Sequence, residues 1–157
     1  GDTMPTLYNI ITALLLMFSI AIQAETLSLD ETKLKAEQGD AKAQAQLASM
    51  YLLGRNNVEK DEQKAALWFT KSAEQNFMDA EMIVAALYDR GLGVAQDIDT
   101  ATKWYEKAAN QGNTTALAIL GKNAAPTGGV AFNYKMMRLS AAKQIPSEYA
   151  NKILLGK

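Results

Sequence analysis

The chain has 157 residues, enough for one domain, with 48% hydrophobic residues, 21% charged residues and a formal net charge of −1. A general nucleic-acid binder would carry a basic excess, so this balance argues against nucleic acid as a partner. The chain has neither histidine nor cysteine, which excludes imidazole acid–base catalysis, thiol catalysis, disulfides and zinc sites built on thiolates. From this composition we expect no catalytic residue, no metal site and no cofactor.

The first predicted element is an apolar segment near the N-terminus. Residues 10–22 carry no charge, and the run ends in small residues just before charge returns at Glu25. This pattern is typical of a secretory signal peptide cut after Ala24, and the run is short for a membrane helix, which needs about 20 residues. We predict that residues 1–24 form a signal peptide, with an uncleaved membrane anchor or a buried helix as alternatives, and that residues 1–3 are a cloning remnant.

Helices are predicted along the rest of the chain, because apolar residues recur every three or four positions and helix-favouring residues are frequent. Gly54 and Gly91 follow apolar runs and suit left-handed C-caps, whereas Asp61 and Asp97 precede such runs and suit N-caps. No strand is expected. The predicted helices are residues 28–38, 40–53, 61–75, 78–90, 98–110, 113–123, 133–144 and 147–156.

A pattern containing alanine, tyrosine, glycine, aspartate and tryptophan occurs twice, offset by 37 residues up to the glycine and by 36 after it. The first copy consists of Ala43, Leu47, Ala48, Tyr51, Gly54, Val58, Asp61, Ala65, Trp68, Lys71 and Ala73. The second consists of Ala80, Val84, Ala85, Tyr88, Gly91, Val94, Asp97, Ala101, Trp104, Lys107 and Ala109. A third copy begins at Ala116 and loses the tyrosine and tryptophan positions. The predicted repeat units are residues 40–75, 77–111 and 113–144, followed by a C-terminal capping helix at 147–156.

Aromatic residues are expected to fill the core of each unit. Alanines along each helix let two helix backbones approach closely, and tyrosine and tryptophan fill the space between them. We therefore predict that Trp68 and Trp104 are buried at equivalent places in successive units.

These motifs, written A-x-x-x-L-[GA]-x-x-Y-x-x-G…V-x-x-D-x-x-x-A-x-x-W-x-x-K-x-A, resemble the Sel-1-like repeat, a relative of the tetratricopeptide repeat. The resemblance covers about residues 40–144. It implies an all-α fold, a right-handed α-solenoid of helix–turn–helix repeats whose first helices line a concave groove used for protein contacts.

Many bacterial members of this family are exported. The resemblance and the N-terminal segment together lead us to expect an exported bacterial module, periplasmic or secreted, that binds a protein or peptide partner in the groove. The alternative is an inner-membrane-anchored component of an envelope complex. A membrane contact is expected only if the N-terminal segment stays uncleaved.

The groove residues are expected on the first helix of each unit, beside the face that carries the leucine or valine and the tyrosine. Carried over by register from the related repeat family, they are Lys42, Ala45, Ser49 and Leu52, then Asp79, Met82, Ala86, Asp89 and Arg90, then Thr115, Ala118 and Lys122. This mixture of small, apolar and weakly charged residues suits an extended peptide better than a polyanion. An ordinary solvated face is the alternative.

One motif points to an enzyme. Ser140 and Lys143 match S-x-x-K, the nucleophile motif of penicillin-binding enzymes, and a subset of Sel-1-like proteins is similar to β-lactam-binding proteins. The chain lacks the S-D-N and K-T-G motifs and the paired cysteines of that subset, so an enzyme acting on β-lactam or cell-wall substrates is the least favoured alternative. Asp97 and Asp99 alone offer too few oxygen ligands for calcium.

Overall fold

The computed structural model describes residues 10–13, 15, 17, 29–121 and 134–156, and all the regular structure in them is helical. Residues 10–13, 15 and 17 are helical. The helices that follow are α1 (residues 29–37), α2 (Ala41–Leu53), α3 (Glu62–Glu74), α4 (Met78–Arg90), α5 (Ile98–Asn110), α6 (Thr114–Ile119) and α7 (Tyr134–Leu155). The predicted all-α solenoid is confirmed.

Two helix hairpins, α2–α3 and α4–α5, stack against each other through α3 and α4. Their first helices end at Gly54 and Gly91, whose φ values of 63° and 69° lie in the left-handed region that glycine adopts without strain. Their second helices begin at Asp61 and Asp97, whose carboxylates accept backbone N–H groups of the first turn. These caps were predicted, and they fix where each repeat turns.

The loop between α4 and α5 packs directly on the start of α3. A Cβ atom added to Gly93 would lie 2.0 Å from the carbonyl oxygen of Glu62, and Gly93 itself has a φ of +68°. Only glycine permits this backbone approach. The second glycine of the Gly91-Leu92-Gly93 turn therefore joins the two repeats.

The core of each repeat is built on a different aromatic residue from the one we predicted. Phe69 and Tyr105 have no solvent exposure, whereas Trp68 and Trp104 are only partly buried and pack against the edge of the core. A one-residue step rotates a side chain by about 100° around the helix, so both positions cannot face inward. The two tryptophans are equivalent, as predicted, but their full burial is not found. Each carries a lysine ammonium over its ring, at 4.2 Å for Lys71 and 4.3 Å for Lys107.

The third unit departs from the predicted helix pair. Helix α6 has six residues, and the helices predicted at 133–144 and 147–156 are one helix, α7, that continues through Pro146. Proline inside a helix removes a hydrogen bond and costs about 3 kcal/mol. Residues on both sides of Pro146 bury one continuous apolar stripe, and this shared burial favours an unbroken helix.

The predicted signal-peptide cleavage after Ala24 lies outside the described residues. Of the described residues in the apolar run, Ile10, Ile11, Leu15 and Met17 are exposed. The signal peptide, the membrane anchor and the buried helix stay predictions. Within the described part of the chain, no helix has the length and apolar character needed to cross a membrane.

Candidate functional site

The first helices of the two repeats, α2 and α4, form a groove, and α7 lies in it. Helix α7 packs along both α2 and α4. Arg138, near the start of α7, contacts Asp89 at the end of α4, and Lys152, near the end of α7, contacts Asp79 at the start of α4. Helix α7 therefore runs antiparallel to α4.

An apolar stripe on α7 faces the groove. Its buried members are Ala142, Ile145, Ala150 and Ile153, at spacings of three, five and three residues that keep them on one helix face. They share one core cluster with the groove residues Ala45, Leu52, Met82 and Ala86. Because alanine supplies much of the contact on both sides, the helix backbones can approach closely.

A buried ion pair holds the beginning of α7 in the groove. Arg138 Nε donates to both oxygens of Asp89, at 3.0 and 2.9 Å, and Arg138 Nη2 donates to Asp89 Oδ1 at 2.8 Å. Its remaining N–H groups reach Thr102 Oγ1 at 3.0 Å and the Ile98 carbonyl oxygen at 3.2 Å. The side chain of Asp89 is 4% exposed and that of Arg138 is 20% exposed. This fork geometry satisfies a carboxylate that burial would otherwise penalise.

The far end of α7 is held by weaker contacts. Lys152 Nζ lies 2.8 Å from Asp79 Oδ1, with the lysine side chain 46% exposed. Asn113, which caps α6, donates from Nδ2 to the Tyr149 hydroxyl at 3.3 Å. One acidic residue thus lies near each end of the groove, and each meets a basic residue of α7.

Half of the twelve predicted groove residues, all on α2 and α4, are buried. Six of them are buried: Ala45, Ser49, Leu52, Met82, Ala86 and Asp89. Lys42 and Arg90 are exposed, Asp79, Thr115 and Ala118 are intermediate, and Lys122 lies outside the described residues. The alternative of an ordinary solvated face disagrees with this burial. Binding of a partner by these residues stays a prediction.

The structure shows where the residues of the motifs considered for metal binding and catalysis lie. Asp97 accepts hydrogen bonds from the backbone N–H groups of Asp99 and Thr100, as an N-cap does. The hydrogen bond from the Thr100 hydroxyl, together with these backbone contacts, lowers the pKa of Asp97. Ser140 and Lys143 are exposed on α7. No group of three metal-binding side chains occurs in the described part of the chain.

The second repeat has a buried carboxylate, Glu81, at the position where the first repeat has the amide of Gln44. In the first repeat Gln75 Nε2 donates to Gln44 Oε1 at 2.8 Å, and Gln44 Nε2 donates to the Ala36 carbonyl oxygen at 3.1 Å. In the second repeat Gln111 Nε2 donates to Glu81 Oε2 at 2.6 Å, while Glu81 Oε1 has no partner among the described residues. Burial raises the pKa of Glu81 above its ordinary value of 4.5, although Lys107 and Gln111 act in the opposite direction.

Glu81→Gln is expected to raise the free energy of unfolding at pH 7 by about 1–3 kcal/mol, the cost of an unsatisfied buried polar group. Positions 81 and 73 are equivalent to positions 44 and 36 of the preceding repeat. The new amide is therefore expected to donate to the Ala73 carbonyl oxygen, as the amide of Gln44 donates to that of Ala36. Because the pKa of Glu81 is raised in the folded state, the contribution of Glu81 to stability is fully present below pH 4.5 and is lost as pH rises through its folded pKa. Urea unfolding at pH 7 and below pH 4.5 should therefore show a gain that shrinks in acid. Gln44→Glu is the matched opposite change, and an equal gain at both pH values would contradict the explanation.

Sequence reasoning did not identify Arg138 as a site residue. It lies in the degenerate third copy, where no repeat register assigns it a role. No local sequence signal assigns Arg138 this role, because its partner Asp89 lies 49 positions away in the chain.

The chain is similar to part of several longer proteins. The chain is 36% identical over 98 residues to the chitin synthase regulator SKT5 of Saccharomyces cerevisiae, which covers 62% of this chain and 14% of that protein. It is 36% identical over 78 residues to chitin synthase regulatory factor 3 of Schizosaccharomyces pombe, which covers 49% of this chain and 8% of that protein. It is also similar to the DAP3-binding cell death enhancer 1 of Rattus norvegicus, at 32% identity over 84 residues, or 54% of this chain and 16% of that protein. The chain thus spans a small part of each of these relatives.

These relatives overturn the expected location. The relatives from Saccharomyces cerevisiae and Schizosaccharomyces pombe are named as regulators of chitin synthase in fungi rather than as exported bacterial proteins. The expectation of a periplasmic or secreted protein, with an inner-membrane-anchored alternative, is therefore wrong. It depended on reading an apolar run as an export signal, and such a run alone does not specify a destination.

Solved structures and the family profile agree on the repeat. A Sel1 repeat protein from Oxalobacter formigenes is 41% identical, with a TM-score of 0.56 over 58% of this chain and 68% of that one. A protective antigen of uropathogenic Escherichia coli with an SLR fold is 33% identical, with a TM-score of 0.56 over 79% of this chain and 27% of that one. The Sel1 repeat profile matches residues 41–77 and 79–113, which overlap the predicted units 40–75 and 77–111. The chain belongs to the Sel1 repeat family, whose repeats form protein–protein interaction modules.

Proposed function

We propose that this protein is a non-catalytic adaptor that binds an amphipathic helix of a partner protein in the groove between α2 and α4. The observation that carries the proposal is the position of α7, which occupies this groove as a helical ligand would. Instead of pairing with α6 to complete a third repeat, α7 places its apolar stripe against α2 and α4. Helix binding in an apolar groove is a common mode of peptide recognition.

The contacts of α7 define the chemistry of the partner. The groove floor takes small or branched apolar residues at the spacing of Ala142, Ile145, Ala150 and Ile153. Asp89 takes a basic residue four positions before the first of these, as Arg138 shows. The partner is therefore a helix with a narrow apolar face preceded by arginine, rather than the extended peptide expected from the sequence.

The names of similar proteins support a protein partner. Two relatives are named as regulators of chitin synthase, and another is named for binding DAP3. The chain covers a small fraction of each, so only the interaction role, and no particular partner, enters the proposal.

A labelled peptide of residues 134–156, added to the full-length chain, tests the groove. Wild-type protein should bind it weakly, because its own α7 competes at a high effective concentration. The Arg138→Ala protein should bind it at least tenfold more tightly, since its own helix is weakened and Asp89 is free to accept the arginine of the peptide. The signal is fluorescence anisotropy.

Two matched changes test whether the contact between Asp89 and the arginine of the peptide is responsible for peptide binding. Adding Asp89→Asn to the Arg138→Ala protein should weaken peptide binding about tenfold, and so should Arg138→Glu in the peptide. Lys103→Glu, an exposed change on α5, should have no effect. The proposal would be rejected if the peptide showed no saturable binding to the Arg138→Ala protein. It would also be rejected if neither Asp89→Asn in the protein nor Arg138→Glu in the peptide changed the affinity.

A further inference from the structure

A second surface lies at the edge of the groove, where the α2–α3 loop, the end of α4 and the middle of α7 meet. A pocket of about 230 Å³ opens there, with Leu52, Leu92 and Pro146 among its lining residues. Leu52 and Pro146 are buried and Leu92 is partly buried, so these side chains form an apolar base. Because α7 supplies Pro146, the pocket is complete only while α7 lies in the groove.

The rim of this pocket is positively charged. Lys60, Arg90 and Lys143 line it, and all three are exposed. The carboxylate at the rim, Glu62, is paired with Lys60 at 3.0 Å. Arg90 and Lys143 make no ion pair with the residues that the structure describes. The rim therefore presents two cations that lack an acidic partner in this part of the chain.

We propose that this pocket binds an acidic segment of a protein partner, with one or two carboxylates on Arg90 and Lys143 and an apolar side chain on the base. Its volume lies below the roughly 300–1,000 Å³ of small-molecule sites and suits one or two side chains of a peptide. A free inorganic anion would make no use of the apolar base. A long polyanion is disfavoured, because the chain as a whole has a net charge of −1.

This site goes beyond helix binding in the groove, and the two are linked. Because Lys143 and Pro146 belong to α7, the acidic segment binds the state in which α7 is docked and stabilises it. A helix that displaces α7 would remove one wall of the pocket. The two ligands should therefore oppose each other, and each should weaken binding of the other by the same factor.

The probe is a labelled peptide, Ser-Glu-Glu-Leu-Glu-Ser, with its glutamine counterpart Ser-Gln-Gln-Leu-Gln-Ser as the control. At low salt the full-length protein should bind the glutamate peptide saturably, and the glutamine peptide about tenfold or more weakly, because only the former carries charges for the rim. The double variant Arg90→Glu/Lys143→Glu should lose about tenfold or more in affinity for the glutamate peptide. Lys103→Glu reverses an exposed cation on α5 that does not line the pocket, and it should leave the affinity unchanged.

Hydrogen exchange supplies a second readout, since α7 amides should exchange more slowly when the glutamate peptide is bound. Circular dichroism checks the fold of the double variant, and Lys143→Gln is a milder change that should weaken binding severalfold. Equal affinity for both peptides, no effect of the charge reversal, or no saturable binding of the glutamate peptide would each overturn the inference. None of these results depends on the helix-peptide experiment, which uses the Asp89 contact instead.

Discussion

Phe69→Ala is expected to lower the free energy of unfolding by about 3–5 kcal/mol, as large-to-small changes of fully buried aromatic residues do. Phe69 has no solvent exposure and belongs to the core cluster shared by both repeats. Its truncation leaves a cavity between α3 and its neighbours, and repeat stability depends on such interfaces. Urea unfolding followed by circular dichroism gives the change.

Trp68→Ala is the matched control, one residue earlier on the same helix. Trp68 is larger than Phe69 but only partly buried, with Lys71 over its ring. Its loss should cost clearly less than that of Phe69, because solvent already contacts part of the indole. A larger loss for Trp68 than for Phe69 would show that the tryptophan, as predicted from the sequence, is the main core residue.

Arg138→Ala is expected to lower the free energy of unfolding by about 3 kcal/mol, at the lower end of the range for breaking a buried ion pair. The loss arises mainly because the buried Asp89 side chain is left without the arginine that satisfies both of its oxygens. The exposed fifth of the Arg138 side chain is the reason for choosing the lower end. Because Arg138 holds α7 to α4, hydrogen exchange should accelerate most in α7.

Lys152→Ala provides the comparison at the other end of α7. The Lys152 side chain is nearly half exposed, so its pair with Asp79 should contribute no more than about 1 kcal/mol. A double variant, Arg138→Met with Asp89→Leu, removes both charges and should recover much of the stability lost in Arg138→Ala. If the single and double variants are equally destabilised, the buried carboxylate is not the cause.

The sequence by itself determined the repeat and its turns. Left-handed glycines at Gly54 and Gly91 and capping carboxylates at Asp61 and Asp97 are local features, set by the backbone groups that each helix end leaves unpaired. Helices α2 to α5 accordingly begin and end within one residue of their predicted limits. The family and its interaction role follow from the same repeated motif.

Only the tertiary structure decided which aromatic residues fill the core and what lies in the groove. Phe69 and Trp68 are one residue apart, and the direction from which α2 and α4 approach selects the one that is buried. A proline at position 146 predicts a break, yet the shared groove keeps α7 in one piece. The partnership of Arg138 with Asp89 joins residues 49 positions apart. Such a contact depends on how distant helices pack, and no local propensity or repeat register encodes it.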